Sequence, residues 1–362
     1  MMPRRHVLIG DGESPHLLKW ARALSAQPGL ELWAASSRSF MPGFAGVVPE
    51  ARRLELQTRP DTAGGNLRLL RHLPRLARWL RQVDPDWLHA HYLTSHGTLA
   101  WLAQSVYGVR GRIVGSAWGS DILVTPQRSA AIRWLTRRVL LACTLCTSDS
   151  QVMATRMREL GAREVMVFPF GLEALPAAPD TKDDALFFAN RGLEPIYAPE
   201  RVLEFFAAVA PPSAQLVVAN SGSLLHALQD RAQALGMMSR VRFVGRLDAQ
   251  AQAAWYAKAR WYISLPRSDS VSVSVLEAMA HGCVPILSDL PANRELVQHG
   301  RNGIIVDDGQ TPGPELLAPL RGCCDAIAAH NHRWVAEHAL FAPCVQTFVD
   351  RLRALTPGGP SA

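Results

Sequence analysis

What most limits the folds open to this chain is an alternation that runs, stops and starts again. Short apolar runs, VLIG, LELWAA, DWLHAH, RIVGSAW, CTLCTS and VMVFPF, are separated by helix-period stretches such as HLLKWARALSA, NLRLLRHLPRLARWLRQV and SQVMATRMRELG. Buried strands that alternate with amphipathic helices predict parallel strands joined by crossover helices, hence a doubly wound sheet. After GLEALPAAPDTKDD, rich in Pro, Ala and Asp, a second series begins: ALFFAN, AQLVVA, VRFVG, WYISLP, VPILS and GIIVD. The expected architecture is therefore α/β, two Rossmann-like doubly wound domains facing across a cleft. Their expected bounds are 1–172 and 185–335, with a linker over 173–184 and a C-terminal helix and tail over 336–362 that packs back toward the first domain. At 362 residues the chain is long enough for two cores. Ligands of such sheets bind at the carboxyl ends of the strands.

Composition removes several function classes. No stretch approaches the roughly 18 apolar residues that span a bilayer. The start, MMPRRHVLIG, is basic, but its apolar run is too short for a signal-peptide core, so a cytoplasmic location is expected. Cys143 and Cys146 form a C-x-x-C inside an apolar run, with no second pair at zinc spacing, and read as buried thiols. No paired carboxylates stand in a metal-ligand context, because Asp183-Asp184 falls in the linker and Asp307-Asp308 follows a strand. No metal and no cofactor are expected.

The net charge of +7 is uneven: residues 1–172 hold 22 Lys and Arg against 12 Asp and Glu, a surplus of ten, and the remainder is mildly acidic. No nucleic-acid-binding motif accompanies the surplus. Arg68, Arg71, Arg75 and Arg78 recur at helical spacing, with Leu69, Leu73, Leu76 and Leu80 on another stripe. The stripe suits either an ordinary surface helix or one resting on anionic lipid headgroups, the helix Arg68–Arg81 being the expected contact. The second option places the protein on the inner face of a membrane.

The densest chemistry lies in SDSVSVSVLEAMAHGCVPILSD. A strand ending near Leu265 passes into the helix VLEAMAH, which Gly282 closes. A strand-to-helix turn offers free backbone N–H groups and the positive end of a helix dipole, a cradle for phosphate. Asp269 precedes the turn and Glu277 falls in the first helical turn. Ser274 and Glu277 also have capping-box spacing, which would secure the helix start with no ligand present.

This segment resembles the E-x7-E motif of the family 4 glycosyltransferases, retaining enzymes of the GT-B fold. The similarity continues through NRELVQHGRNGIIVDD and, upstream, through LHAHY, SAWGSD, CTSDSQ, VFPFG and RGLEPIY. The resemblance implies sugar transfer from a nucleotide sugar to a glycan or lipid-linked acceptor, as in bacterial surface polysaccharide or glycolipid synthesis. It implies that Glu277 binds the ribose, that Asp269 contacts the transferred sugar, and that the N–H groups of Ser272 and Val273 hold the diphosphate, with Ser274 completing the turn. Arg191 matches the arginine that neutralises the diphosphate. Tyr197 stands where the family has lysine, and Arg267 or Arg246 could replace that charge. In the first domain Gly12 resembles a glycine of the family's G-G loop, and His91 the histidine that reaches the donor sugar. Gly119 and Asp121 keep their places in the H-G-x-D turn as an acceptor-side wall, with Trp118 in place of histidine.

Four departures mark a diverged subfamily: Asp269 for Glu, Tyr197 for Lys, Trp118 for His, and Ser272-Val273-Ser274 for the usual Gly-Leu-Pro. The expected mechanism is front-face displacement, in which the leaving phosphate helps to deprotonate the acceptor. A catalytically silent partner subunit and a nucleotide-sugar epimerase of the same fold remain alternatives on sequence alone.

Overall fold

The computed structural model describes residues 4–58, 67–177, 181–307, 309 and 312–355. They form two compact units, one of residues 1–168 with 341–362 and the other of residues 169–340.

The first unit is built on a parallel sheet of β1 (Arg4–Gly10), β2 (Leu30–Ser36), β3 (Arg53–Glu55), β4 (Trp87–His91), β5 (Arg112–Ser116), β6 (Cys143–Ser148) and β7 (Val165–Val167), in the order β3-β2-β1-β4-β5-β6-β7. The order reverses at β1 and β4, the switch point where ligands of doubly wound sheets bind. Its crossovers carry α1 (Pro15–Ser25), α2 (Leu73–Val83), α3 (Thr98–Ser105), α4 (Ser120–Leu123), α5 (Ala130–Ala142) and α6 (Gln151–Glu159). Leu76, Leu80, Leu99, Ala103, Val139 and Met157 bury the inner stripes of four of these helices in one core, because their apolar residues fall at the helical period. Cys143 and Cys146 lie in that core as free thiols.

The second unit repeats the scheme with β8 (Asp183–Ala189), β9 (Gln215–Ala219), β10 (Val241–Gly245), β11 (Ala259–Ser264), β12 (Val284–Ser288) and β13 (Ile304–Val306), ordered β10-β9-β8-β11-β12-β13. Its helices are α7 (Pro199–Val209), α8 (Leu225–Ala234), α9 (Ala249–Lys258), α10 (Val273–Ala280), α11 (Pro291–Leu296) and α12 (Cys324–His338). β11, β12 and the second half of β8 are buried on both faces, as central parallel strands are.

The chain then returns to the first unit as α13 (Phe341–Ala354). Trp20 of α1 sits edge-on to Phe341 and Phe348, with ring centres 5.0 and 5.3 Å away. Arg351 holds Glu164 with two N–H groups. At the return, Leu172 N–H donates to the Ala339 carbonyl at 2.8 Å, and a Cβ at Gly171 would overlap that carbonyl.

Two sequence expectations need correction. Asp183 and Asp184 open β8 instead of lying in a linker, because the buried Arg260 donates to Asp184 at 2.6 Å and to Asp325 at 2.7 Å. Of the supposed linker, residues 178–180 lie outside the described residues, as does Asp308. The expected helix up to Val83 is not one α-helix over its described part: residues Leu67–His72 form 3₁₀ turns, and Pro74 fixes the start of α2 at Leu73. Arg75, Arg78 and Arg81 therefore lie on the α-helix proper and are exposed, Arg71 precedes it, and the side chain of Arg68 is outside the described part.

Candidate functional site

In the second unit the site forms where β8 and β11 end and α10 begins. β8 runs out at Ala189, leaving Asn190 and Arg191 at the carboxyl edge of the sheet. One terminal amino group of Arg191 donates to Asp269 Oδ2 at 2.6 Å. The other donates to Ser272 Oγ at 2.5 Å and Ser274 Oγ at 3.1 Å. The planar fork of a guanidinium holds donors in fixed directions toward acceptors on two sides, whereas an ammonium is a point charge on a flexible stem. Arg191 Nε is buried with no hydrogen-bond partner.

Tyr197 enters this cluster through its ring. The Arg191 guanidinium carbon lies 4.4 Å from the ring centre, so the aromatic face supports the cation where the resemblance expects a lysine. Gly192 allows it, since a Cβ there would sit 3.2 Å from the ring edge. Burial works to lower the Arg191 pKa, but the Asp269 carboxylate prevails and the value is raised, so the cation is permanent. Burial raises the pKa of Asp269 above the usual carboxylate range, and the opposing pull of Arg191 and the Ser270 N–H does not cancel it.

The helix start differs in detail from the expectation. α10 begins at Val273 with Ser272 as N-cap residue, so Glu277 lies in the second turn and the Ser274–Glu277 capping box does not form. The Ser274 hydroxyl faces Arg191 instead. As the first two residues of the helix, Val273 and Ser274 present N–H groups with no intrahelical acceptor, one residue later than the Ser272 and Val273 pair expected from the motif. Glu277 accepts from Tyr256 Oη and from Gln252 Nε2, each at 3.1 Å. Tyr256 Oη also receives Asn190 Nδ2 at 2.7 Å, and Tyr262 Oη donates to Asn190 Oδ1 at 2.8 Å. A continuous network, buried at Asn190, Tyr256 and Tyr262 and part-buried at Glu277, thus couples Glu277 to the residue beside Arg191. Burial raises the pKa of both phenols, which keeps them as neutral donors.

Asn190, Gln252, Tyr256 and Tyr262 escape sequence reasoning. The tyrosines read as core aromatics and Gln252 as a helix-surface residue; the one available signal was Asn190, a polar residue at a strand's carboxyl end. Arg267 does not join the cluster: it is exposed and lies 3.8 Å from Glu200. Arg246 follows β10 and is also exposed.

In the first unit His91 ends β4 and is buried. Trp118 Nε1 donates to His91 Nδ1 at 3.3 Å, which makes Nδ1 an acceptor and places the proton of the neutral ring on Nε2. That Nε2 is buried without a partner. Burial drives the His91 pKa far below its ordinary value, so the ring stays neutral. Trp118, the residue that departs from the H-G-x-D pattern, therefore fixes which nitrogen of His91 can donate.

Asp121 is fully buried, so it cannot itself be a wall facing a ligand. Its carboxylate accepts from Trp118 N–H at 2.9 Å and Leu93 N–H at 2.8 Å, which ties the turn after β5 to the turn after β4. Gly119 makes that turn possible with φ of 97°, in the region that favours glycine. Gly12 is required by the protein's own packing: a Cβ would meet the Ser39 carbonyl at 2.5 Å, and its N–H donates to Ser36 Oγ. Among the described residues, no three His, Cys, Asp or Glu side chains group as metal ligands. No helix among them is long and apolar enough to cross a membrane.

Comparison with known proteins matches each half to a family. Residues 7–150 match the model described as "Glycosyl transferase 4-like", and residues 184–316 match "Glycosyl transferases group 1". The N-acetyl-α-D-glucosaminyl L-malate synthase of Bacillus anthracis is 23% identical over 253 residues, 66% of each chain. The phosphatidyl-myo-inositol mannosyltransferase of Mycobacterium leprae is 25% identical over 86% of this chain and 84% of its own. The crystal structure of Anabaena HepE in complex with UDP is 16% identical, with a TM-score of 0.75 over 97% of this chain and 100% of that one. The complex of HepE with UDP-glucose gives the same TM-score at 15% identity.

Proposed function

The chain is a GT-B glycosyltransferase of the group 1 and 4-like kind, and we propose that it transfers a sugar, with retention at the anomeric carbon, from a nucleoside diphosphate sugar to a glycan or lipid-linked acceptor. The observation that carries this reading is the cluster of Arg191, Asp269, Ser272 and Ser274 at the start of α10, with Glu277 one turn further on. A permanent cation, two hydroxyls and the N-terminal end of a helix form a phosphate-binding set. A diphosphate arriving there competes with Asp269 for Arg191 and frees that carboxylate for the sugar hydroxyls. Glu277, already oriented by Tyr256 and Gln252, offers its carboxylate to the ribose.

In this proposal the Arg191 charge and the α10 N–H groups stabilise the phosphate oxygens as the glycosidic bond breaks. The acceptor hydroxyl attacks on the same face and gives its proton to the leaving phosphate. Catalysis is charge stabilisation and positioning. In the first unit the resemblance gives His91 the role of hydrogen-bond donor to the sugar, which requires its Nε2–H, buried in this structure, to be uncovered. Because Arg191 and the helix supply the positive charge, activity is expected to survive EDTA. The HepE complexes with UDP and UDP-glucose fit a nucleotide-sugar donor, the phosphatidyl-myo-inositol mannosyltransferase relative supports a lipid-linked acceptor, and the outward arginines of α2 suit an anionic membrane surface.

The test is a thermal-shift panel of UDP, GDP, ADP and their sugars with wild type beside Glu277→Ala. A shift for one diphosphate that the mutant loses supports the reading, and proton NMR of the product then reports the anomer. If no nucleotide shifts the wild type, the catalytically silent reading replaces it.

A further inference from the structure

We infer that α5, with α3 beside it, is the face by which this protein holds an anionic phospholipid bilayer. The inference deepens the membrane-surface reading proposed above and rests on it, but it moves the anchor away from α2. Between residues 87 and 148 the chain has six arginines and a single acid, Asp121, which is fully buried. The elements packed most closely on α5 are α3, β6 and the turns over 93–97 and 125–127, and none of them contains Asp or Glu. Glu159 and Glu164 flank Gly161, against which Arg137 lies, but they are paired with Arg156 and Arg351, so the surface keeps a positive excess.

On it stands an exposed tryptophan. Trp134 is 54% exposed and the Arg138 guanidinium lies 5.2 Å from its ring centre. Trp101 of α3 meets Trp134 edge to face at 6.4 Å. Val106, at the end of α3, is 67% exposed, the most exposed large apolar residue described. Beside Trp134 a shallow groove is lined by Gln127, Ser129, Ala130, Arg133 and Arg137. Arg133 and Arg137 are one helical turn apart, so both guanidiniums can meet one headgroup phosphate.

Arginines with a tryptophan and a bare aliphatic side chain match the chemistry of the bilayer interface, where the indole sits at headgroup level and the cations meet phosphate. A nucleic-acid surface has no use for an exposed valine. α2 offers arginines with no exposed aromatic: its Trp79 is turned inward against Trp33. Charge alone attracts a protein to an anionic surface, whereas insertion of apolar area holds it there.

The experiment is flotation of the intact protein with vesicles of phosphatidylcholine, alone or with added phosphatidylglycerol. It compares wild type, Trp134→Ala, the pair Arg133→Glu/Arg137→Glu, and the α2 pair Arg75→Glu/Arg78→Glu, with each melting temperature measured to verify folding. Wild type is expected to float only with the anionic vesicles, and less in high salt. The α5 pair should bind at least about tenfold more weakly, since each surface cation carries most of a factor of ten. Trp134→Ala should lose several-fold in both salt conditions, because its contribution is apolar. If folded α5 variants float like wild type, or if only the α2 pair fails, the anchor is wrong while the membrane reading stands. If wild type floats with neither vesicle, the membrane reading falls and this inference with it. If it instead binds a single-stranded RNA through Arg133 and Arg137, the face is a nucleic-acid surface and the inference is overturned.

Discussion

Arg191 and Asp269 close on each other at 2.6 Å at the mouth of the second unit, while the same guanidinium reaches two serine hydroxyls through its other amino group. The arrangement needs a planar cation with donors on both sides. Arg191→Lys keeps the charge and loses the fork, so it should behave almost as badly as Arg191→Ala. Both should lower kcat/KM by roughly 10² to 10³, the range for deleting one preorganised charge-stabilising donor. Steady-state kinetics with the donor found by the nucleotide panel check this. A lysine variant within a few-fold of wild type would mean that the fork is dispensable.

Glu277 is held by Tyr256 and Gln252 before any ligand arrives. Removing one hydroxyl with Tyr256→Phe should therefore weaken nucleotide binding without touching the ligand directly. The expected loss is about 1 kcal/mol, or roughly five- to tenfold in Kd. Glu277→Gln, which fills the same space, should lose more, because it removes the charged acceptor itself. Isothermal titration with the free diphosphate measures both. Equal Kd for Tyr256→Phe and wild type would reduce the tyrosine to a packing role.

The contrast between Arg191 and Tyr256 shows what was legible beforehand. Arg191, Asp269 and Glu277 stand at fixed spacings around a strand-helix turn, and turns of that kind leave a local record in the sequence. The alternation that predicts two doubly wound sheets is equally local. Tyr256 and Tyr262 look like any core aromatic, because the partner that ties them to the Arg191 cluster, Asn190, is more than sixty residues away along the chain. The same holds for the N-cap at Ser272: local rules favour a Ser274–Glu277 capping box, but Arg191 draws the Ser274 hydroxyl away and Tyr256 draws Glu277. The three-residue edge strand β3 and the change from 3₁₀ turns to α-helix between His72 and Leu73 were hidden for other reasons. The first is too short to show a period, and the second keeps the helical period through a 3₁₀ turn.

Trp118 departs from the family pattern, and its indole gives the departure a purpose. Its N–H on His91 Nδ1 selects the Nε2–H form of a neutral, buried imidazole. Trp118→Phe keeps the ring and deletes the donor, so both tautomers should become populated. Nitrogen NMR of labelled histidine reads the change directly, and kcat should fall about two- to fivefold for a loss below 1 kcal/mol. A single Nε2–H signal in the variant would show that some other contact selects the tautomer.

Acid should loosen the first unit, and the signs can be worked out from its buried groups. Burial lowers the pKa of His6 from 6.5 to about 3, and it lowers those of His89, His91 and His96 as well. Below the ordinary histidine value the unfolded chain takes up protons at these positions that the folded chain refuses, so stability is lost as pH falls. Asp121 works the other way. Burial raises its pKa from 3.8 to about 6, against the pull of the Leu93 and Trp118 N–H groups, so the folded state holds a proton there that the unfolded chain gives up. Its contribution to stability therefore grows as pH falls through about 6. Four histidines outweigh one carboxylate, and the melting temperature should drop between about pH 7 and about pH 5. Asp121→Asn removes the opposing carboxylate of the first unit, so the variant should start less stable, having lost a carboxylate acceptor for two backbone N–H groups, and then fall more steeply. Melting curves across that range for wild type and Asp121→Asn test both signs. A wild-type melting temperature that rises on acidification, or a variant with the shallower slope, would contradict the assignment of these groups as neutral histidines around a proton-retaining carboxylate.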